Sequence, residues 1–221
     1  MGPAMAAEAQ TQPPGATHAA AAGGQETEIT LGVLDAVEQN AQVTQRSVAS
    51  ELGIALGLAN AYLKRCMKKG WIKVKQIPPN RYLYYLTPKG FTEKSRLTAE
   101  YLGSSFTFFR RARAQLEEAM GACKVKGWQR VALVGQGELT EIGALCNSEF
   151  HLDLVVVAPG AGARVAGLAA VPSLEGAGTV DAVIVTDLAK PQIAFDELKA
   201  VLPPERILTP RMLRISRNGK A

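Results

Sequence analysis

Residues 44–70 read TQRSVASELGIALGLANAYLKRCMKKG, and this stretch decides the fold of the N-terminal half. Val43 to Leu52 form one helix, with Thr44 as its N-cap and Val48 and Leu52 on one face. Gly53-Ile54 stops it, and a third helix runs from about Ala55 to Lys69, closed by Gly70. In that third helix Ala59, Leu63 and Cys66 recur at i, i+4 and i+7, so they turn inward with Trp71 and Ile72 nearby. The spacing is that of a helix-turn-helix. Upstream, Leu31, Leu34 and Val37/Glu38 mark the face of a first helix from Ile29 to near Asn40. Downstream, extended stretches Trp71–Gln76 and Tyr82–Leu86 flank the turn Ile77-Pro78-Pro79-Asn80-Arg81. Three helices and a two-stranded ribbon predict a winged helix.

The outward face of the third helix offers Gly57, Asn60, Ala61, Lys64 and Lys68. Asn60 has the chemistry for a bidentate bond to adenine, while Gly57 and Ala61 let the helix approach the major groove closely. Gln45 and Arg46 at the start of the preceding helix, with Lys68 and Lys69, are expected against phosphates. Lys73, Lys75 and Arg81 make the ribbon a second electrostatic contact, with Arg81 the candidate for the minor groove. Charge agrees with this placement. Residues 43–113 carry fourteen Lys/Arg against three acids, a net +11 inside a chain of net +5. Residues 1–42 carry five acids and no Lys or Arg, and residues 114–221 balance to −1. A field of that size attracts polyanions, nucleic acid first. Cys66 sits at an inward position and reads as a buried thiol rather than a redox switch.

Residues 43–102 resemble bacterial MarR-type winged-helix regulators, in particular the group associated with exopolysaccharide genes. The resemblance rests on Thr44-Gln45-Arg46, Glu51-Leu52-Gly53-Ile54, Asn60-Ala61-Tyr62-Leu63-Lys64, Lys69-Gly70-Trp71-Ile72-Lys73 and Tyr84-Tyr85-Leu86-Thr87-Pro88-Lys89-Gly90. It implies a dimer that binds double-stranded DNA and controls transcription. Ala55 stands where such regulators often carry Ser, so the recognition helix lacks a side-chain cap.

Outside this region the texture changes in both directions. Residues 1–27, rich in Ala, Gly, Pro, Gln and Thr, read as a disordered tail before a winged helix over 28–87. Thr87-Pro88 starts another helix, which can run to about Cys123. Phe91, Thr98, Tyr101/Leu102, Ser105, Phe109, Ala112, Leu116 and Ala119/Met120 lie near one stripe, with a bend expected at Gly103-Ser104-Ser105. So long a stripe predicts self-association, making 88–126 a linking and dimerising helix. Two shorter helices folded back on the same chain are the alternative.

From 127 to 221 the sequence predicts an α/β domain. Apolar strands at Arg130–Val134, Leu152–Val157, Ala182–Val185 and Ile207-Leu208 alternate with helices at Glu138–Asn147 and Phe195–Val201. That pattern argues for a parallel sheet covered on both faces. Val134-Gly135-Gln136-Gly137-Glu138 follows a strand and opens a helix, the setting of a dinucleotide fingerprint. Gly135 suits the tight turn and Gly137 the approach to a pyrophosphate. Three features depart from the fingerprint. Thr140 occupies the third glycine position, Glu138 and Glu141 place negative charge at the first turn, and no acid follows the second strand.

Residues 130–142, 165–174, 180–187 and 202–210 nevertheless resemble Rossmann-type domains that accompany sugar-nucleotide and polysaccharide-biosynthesis enzymes. The resemblance implies a nucleotide or sugar nucleotide held by Gly135, Gln136, Gly137 and Glu138. A nucleotide-like effector and a purely structural or dimerising unit both stay open here.

Composition bounds the rest. The chain has 221 residues, 47% hydrophobic and 20% charged, enough for two small domains. No run of about 18 apolar residues suits a membrane span. Three separated cysteines, two distant histidines and no Lys or Arg before Arg46 argue against a disulfide framework, a metal site or a targeting signal. The expectation is therefore a cytoplasmic, non-enzymatic DNA-binding regulator. Its fold class is an α+β winged helix plus an α/β Rossmann-like domain, joined by a long helix. Two alternatives are an NAD(H)-responsive repressor of Rex-like architecture and a sugar-nucleotide enzyme with a basic accessory domain.

Overall fold

A computed structural model describes residues 16–77 and 81–217, with side chains described over 24–76 and 82–217. The chain divides into two units, 1–105 and 106–221. Among the described residues no helix is long and apolar enough to cross a membrane.

In the first unit, α1 (Ala16–Gln39), α2 (Gln45–Glu51) and α3 (Leu56–Lys68) precede the antiparallel strands β1 (Ile72–Ile77) and β2 (Arg81–Leu86). The start of α1 corrects the expectation of a disordered tail through residue 27, since the helix already runs at Ala16. Helix-favouring alanines and two contacts of Glu26 support the extension. Glu26 pairs with Arg65 of α3 at 2.6 Å, and its carbonyl accepts the Thr30 hydroxyl at 2.8 Å. Residues 1–15 lie outside the described part.

Val33, Leu34 and Val37 of α1 are buried with Val48 of α2 and with Ala59, Leu63 and Cys66 of α3. Trp71, Ile72 and Tyr84 close this core from the ribbon. The amide of Tyr84 donates to the carbonyl of Ala41 at 2.8 Å, tying the ribbon to the loop after α1.

The long α4 is assigned over Pro88–Val125, and its first part, to Ser105, belongs to this unit. Its start is locked to the ribbon base. The Thr87 hydroxyl donates to the Gly70 carbonyl at 2.7 Å and accepts the Gly90 amide at 3.0 Å, while the Thr87 amide donates to the Trp71 carbonyl at 3.0 Å. A Cβ at Gly90 would lie 2.1 Å from that same carbonyl oxygen, so the Thr-Pro-Lys-Gly run is a packing motif. Lys94 then pairs with Asp35 at 2.5 Å and with Glu38, holding α4 to α1.

The second unit is an α/β domain. Its sheet has the order β5-β6-β4-β3-β7-β8, formed by Arg164–Val165, Leu168–Val171, Asp153–Val157, Arg130–Val134, Ala182–Val185 and Ile207–Leu208. All pairs are parallel except the β5–β6 hairpin. Taking β3 as the first strand, the parallel order is third, second, first, fourth, fifth, as in dinucleotide-binding sheets. The expected strands are present, and the small hairpin is an addition. Helices α5 (Glu138–Phe150) and α6 (Pro191–Lys199) contribute Leu139, Ile142, Phe195 and Leu198 to its core.

Ala112, Leu116, Met120 and Cys123 of α4 are buried in this same core. This corrects the reading of the whole apolar stripe as a self-association surface. Its C-terminal part is used inside the chain's own second unit, because an open parallel sheet needs helices on both faces.

Candidate nucleic-acid interface

The recognition element is assembled from short-range chemistry. Thr44 caps α2 through a reciprocal box, its hydroxyl accepting the Ser47 amide at 3.1 Å while the Ser47 hydroxyl accepts the Thr44 amide at 2.8 Å. The α3 N-cap, Ala55, makes no side-chain cap bond. Burial of Ala59, Leu63 and Cys66 fixes the rotation of α3, and Gly57, Ala61, Lys64, Arg65 and Lys68 are left exposed. Gly57 and Ala61 lie near the centre of that outward face, where they add least bulk.

Gln45 and Arg46 are exposed at the start of α2. Lys69 is also exposed, with its ammonium 4.7 Å from the centre of the Trp71 ring. On the ribbon, Lys73 and Lys75 are exposed and share one face, their cross-strand partners being Tyr85 and Leu83. The side chain of Arg81 lies outside the described residues. Arg46, Lys64, Lys68, Lys69, Lys73 and Lys75 are thus all exposed on the first unit.

Asn60 sits differently from the other outward residues. It is half-buried at the flank of α3, and its Oδ1 is enclosed without a hydrogen-bond partner. A bidentate contact to adenine therefore needs the side chain to swing out. The sequence reading also passed over two groups of residues. Arg65 is on the outward face but is paired with Glu26, and Leu56 and Leu58 are 47% and 41% exposed in the first turn of α3. The exposure of the two leucines is invisible to a hydropathy pattern, which counts Leu as core.

Burial pushes the Cys66 thiol up to about 11 from an ordinary value of 9.0, despite the opposing influence of Arg65 and Lys69. The thiol is protonated and enclosed at neutral pH, so native protein at pH 8 is expected to leave Cys66 unmodified by iodoacetamide. Denatured protein is expected to react fully, and mass spectrometry of the peptide distinguishes the two. The unfolded thiol ionises first, so this group favours folding below pH 9, and the contribution fades as pH rises toward 11.

In the second unit, the turn after β3 lies beside β7, where the strand order reverses. Gly135 has φ +136°, and a Cβ there would meet the Asp187 amide nitrogen at 2.4 Å and the Thr186 carbonyl carbon at 2.7 Å. Its lack of a side chain is thus required by the adjacent strand end. Gly137, at φ +104°, has nothing within 4 Å of where a Cβ would stand. Gln136 and Glu138 are exposed beside it. Thr140, at the third glycine position, is fully buried, and its hydroxyl shares a 2.8 Å hydrogen bond with that of Thr186. The second strand leads into Ala158 and Pro159 without an acid. Among the described residues no cluster of His, Cys, Asp or Glu could hold a metal ion.

Residues 26–73 match the family model for winged helix-turn-helix DNA-binding domains. No curated protein matches the chain. Among solved structures, the PcaV transcriptional regulator of Streptomyces coelicolor is 21% identical, covering 48% of this chain and 84% of its own, at TM-score 0.36. MepR, a transcription regulator of the Staphylococcus aureus multidrug efflux pump MepA, is 24% identical over 46% of this chain and 74% of its own, at TM-score 0.34. Human N-acetylserotonin methyltransferase is 12% identical over 91% of this chain and 81% of its own, at TM-score 0.28. By the family match and its own geometry, the first unit carries a winged helix-turn-helix DNA-binding domain.

Proposed function

We propose that this chain is a cytoplasmic, non-enzymatic transcriptional regulator of the MarR type that binds double-stranded DNA as a homodimer. The observation that carries this reading is the outward face of α3. Gly57 and Ala61 leave its centre unobstructed, and Lys64, Lys68 and the ribbon lysines Lys73 and Lys75 are exposed on the same domain. Affinity comes from phosphates met by Gln45, Arg46, Lys68, Lys69, Lys73, Lys75 and Arg81. Sequence choice comes from Asn60, Lys64 and their neighbours in the groove. The resemblance to exopolysaccharide-associated regulators suggests such genes as targets.

Dimerisation is assigned to the exposed apolar positions of α4. Phe91 and Leu102 in the first unit are 48% and 46% exposed, and Phe106 and Phe109 in the second are 58% and 38% exposed. Phe91 and Leu102, eleven residues apart, share one face of the helix within the first unit, and Phe106 and Phe109, three apart, share one within the second. Sedimentation of the full chain is expected to give a dimer, and Phe106→Glu/Phe109→Glu a monomer with weakened DNA binding. A variant that stays dimeric places the interface elsewhere.

The glycine turn is assigned to a nucleotide-like effector, with Gly135 shaping the turn and Gly137, Gln136 and Glu138 facing the ligand. The strand order and the open side of Gly137 support this reading, and they equally suit a response to NADH over NAD. Glu138 and Glu141 oppose a phosphate there.

The reading as a whole is tested by incubating the immobilised full chain with sheared genomic DNA and sequencing what is retained. The expected fragments share an inverted repeat with half-sites about one helical turn apart. Recovery in proportion to input would overturn the proposal. Addition of NADH, NAD or nucleotide sugars is expected to change retention, and no change would remove the effector.

A further inference from the structure

We infer that α4 packs antiparallel against α4 of a second copy, with Phe91 of each protomer against the partner's Leu102. The inference rests on the homodimer reading above and adds its orientation and register. Phe91, Ser95, Thr98 and Leu102, all in the first unit, recur at spacings of four, three and four residues. At about 100° per residue they fall within about 60° of arc, the spacing of a two-helix seam. Leu97 points well away from that arc and is buried in the first unit's core. Phe91, Ser95 and Leu102 are exposed, and Thr98 is half-buried. They line a groove of about 380 Å³ to which Lys94 and, from α1, Glu38 also contribute.

Charge, hydrogen bonding and symmetry together select a second copy as the occupant. The seam carries no charged residue, and Lys94 at its rim is already paired with Asp35 and Glu38. The face can therefore meet its own copy without like-charge repulsion, and it offers a polyanion little to bind. The Ser95 hydroxyl donates to the Phe91 carbonyl at 3.1 Å, and the Thr98 hydroxyl to the Lys94 carbonyl at 2.9 Å. Each hydroxyl thus spends its one donor inside the helix and can be covered without leaving that donor unpaired. The order of sizes is large, small, small, large about the bond between Arg96 and Leu97. Ser95 and Thr98 stand one residue to either side of that pair, and Phe91 and Leu102 stand five. A two-fold contact requires that each residue meet its counterpart reciprocally. In the antiparallel register Ser95 meets the partner's Thr98, so the helices approach closely at the centre, and Phe91 covers the partner's Leu102 at each end. Parallel pairing would accept any order of sizes, so the mirror order favours the antiparallel one, as do opposed helix dipoles. The same two-fold axis relates two recognition helices, as an inverted repeat requires.

The test uses Phe91→Glu and Leu102→Lys in the full chain, each alone and the two mixed in equal amounts, followed by sedimentation. Both positions are exposed, so thermal melting of each unit should match wild type. Alone, each variant sets two charges against apolar side chains across the seam, and its dimer is expected to weaken at least about a hundredfold. In the mixed antiparallel dimer the new carboxylate and ammonium face each other at one end, while Phe91 and Leu102 still meet at the other. Dimerisation of the mixture is therefore expected to return to within about tenfold of wild type. A parallel seam allows no such rescue, since the carboxylate would face Phe91 and the ammonium Leu102. Two monomers that stay apart on mixing overturn the antiparallel register. Either variant remaining as dimeric as wild type places the interface on other residues and overturns the inference, with the homodimer reading intact. A monomeric wild-type chain overturns that reading and this inference together.

Discussion

Full-length protein carrying Lys64→Glu and Lys68→Glu is expected to lose DNA affinity by at least about a hundredfold near 0.1 M salt. Both lysines are exposed in α3 on the side opposite the buried Ala59, Leu63 and Cys66. Each phosphate contact contributes about 0.9 to the slope of log affinity against log salt, and reversal replaces attraction by repulsion at the same place. The loss should therefore be largest at low salt and narrow as salt screens both terms. Because neither side chain supports the core, the thermal melting of the variant should match wild type. Undiminished affinity with an unchanged slope would move the DNA to another face of the molecule.

The second large effect concerns the other unit. Gly135→Ala is expected to destabilise the α/β domain by about 2–5 kcal/mol, combining backbone strain with overpacking. The new methyl would meet backbone atoms of Thr186 and Asp187 at 2.7 and 2.4 Å, and no rotamer change relieves a clash with main chain. Gly137→Ala carries only the strain of its positive φ, since open space surrounds that position, and should cost about 1–3 kcal/mol. Trp128 packs against the core of this unit and Trp71 lies in the core of the first, so each supplies a local fluorescence signal. Denaturation followed through Trp128 in a Trp71→Phe background should show the larger shift for Gly135. Equal small shifts would contradict the close packing of the turn against the end of β7.

Local signals made much of this molecule legible. Thr44 announced a cap and forms one. Ala59, Leu63 and Cys66 announced an inward stripe and are buried, while Ala182–Val185 is the strand its apolar run suggested. Other parts depend on chemistry that a linear pattern does not carry. The β5–β6 hairpin turns on Ala166-Gly167, both at positive φ, and Ala at the first position hides the usual Asn-Gly or Asp-Gly signature. The N-terminal extension of α1 is supported by the long-range pair of Glu26 and Arg65, 39 residues apart in sequence. On α4, periodicity identified one apolar stripe but could not divide it. Ala112, Leu116 and Met120 are buried with a sheet made from later residues, while Phe91, Leu102 and Phe109 stay exposed. Asn60 shows the same limit at single-residue scale. The sequence pattern assigns it to the outward face, and only packing decides that it is half-buried with its Oδ1 enclosed.

The central claim is that the first unit selects a DNA sequence rather than merely attracting a polyanion. Fluorescence anisotropy of the full chain decides this most directly, using a duplex recovered by its own enrichment and a scrambled duplex of the same composition over a salt series. Binding to the recovered duplex is expected to be about a thousandfold tighter at physiological salt, with both affinities falling linearly on the logarithmic salt scale. Equal, weak binding to the two duplexes, fading together with salt, would contradict it and reduce the basic face of α3 and the ribbon to a non-specific anchor.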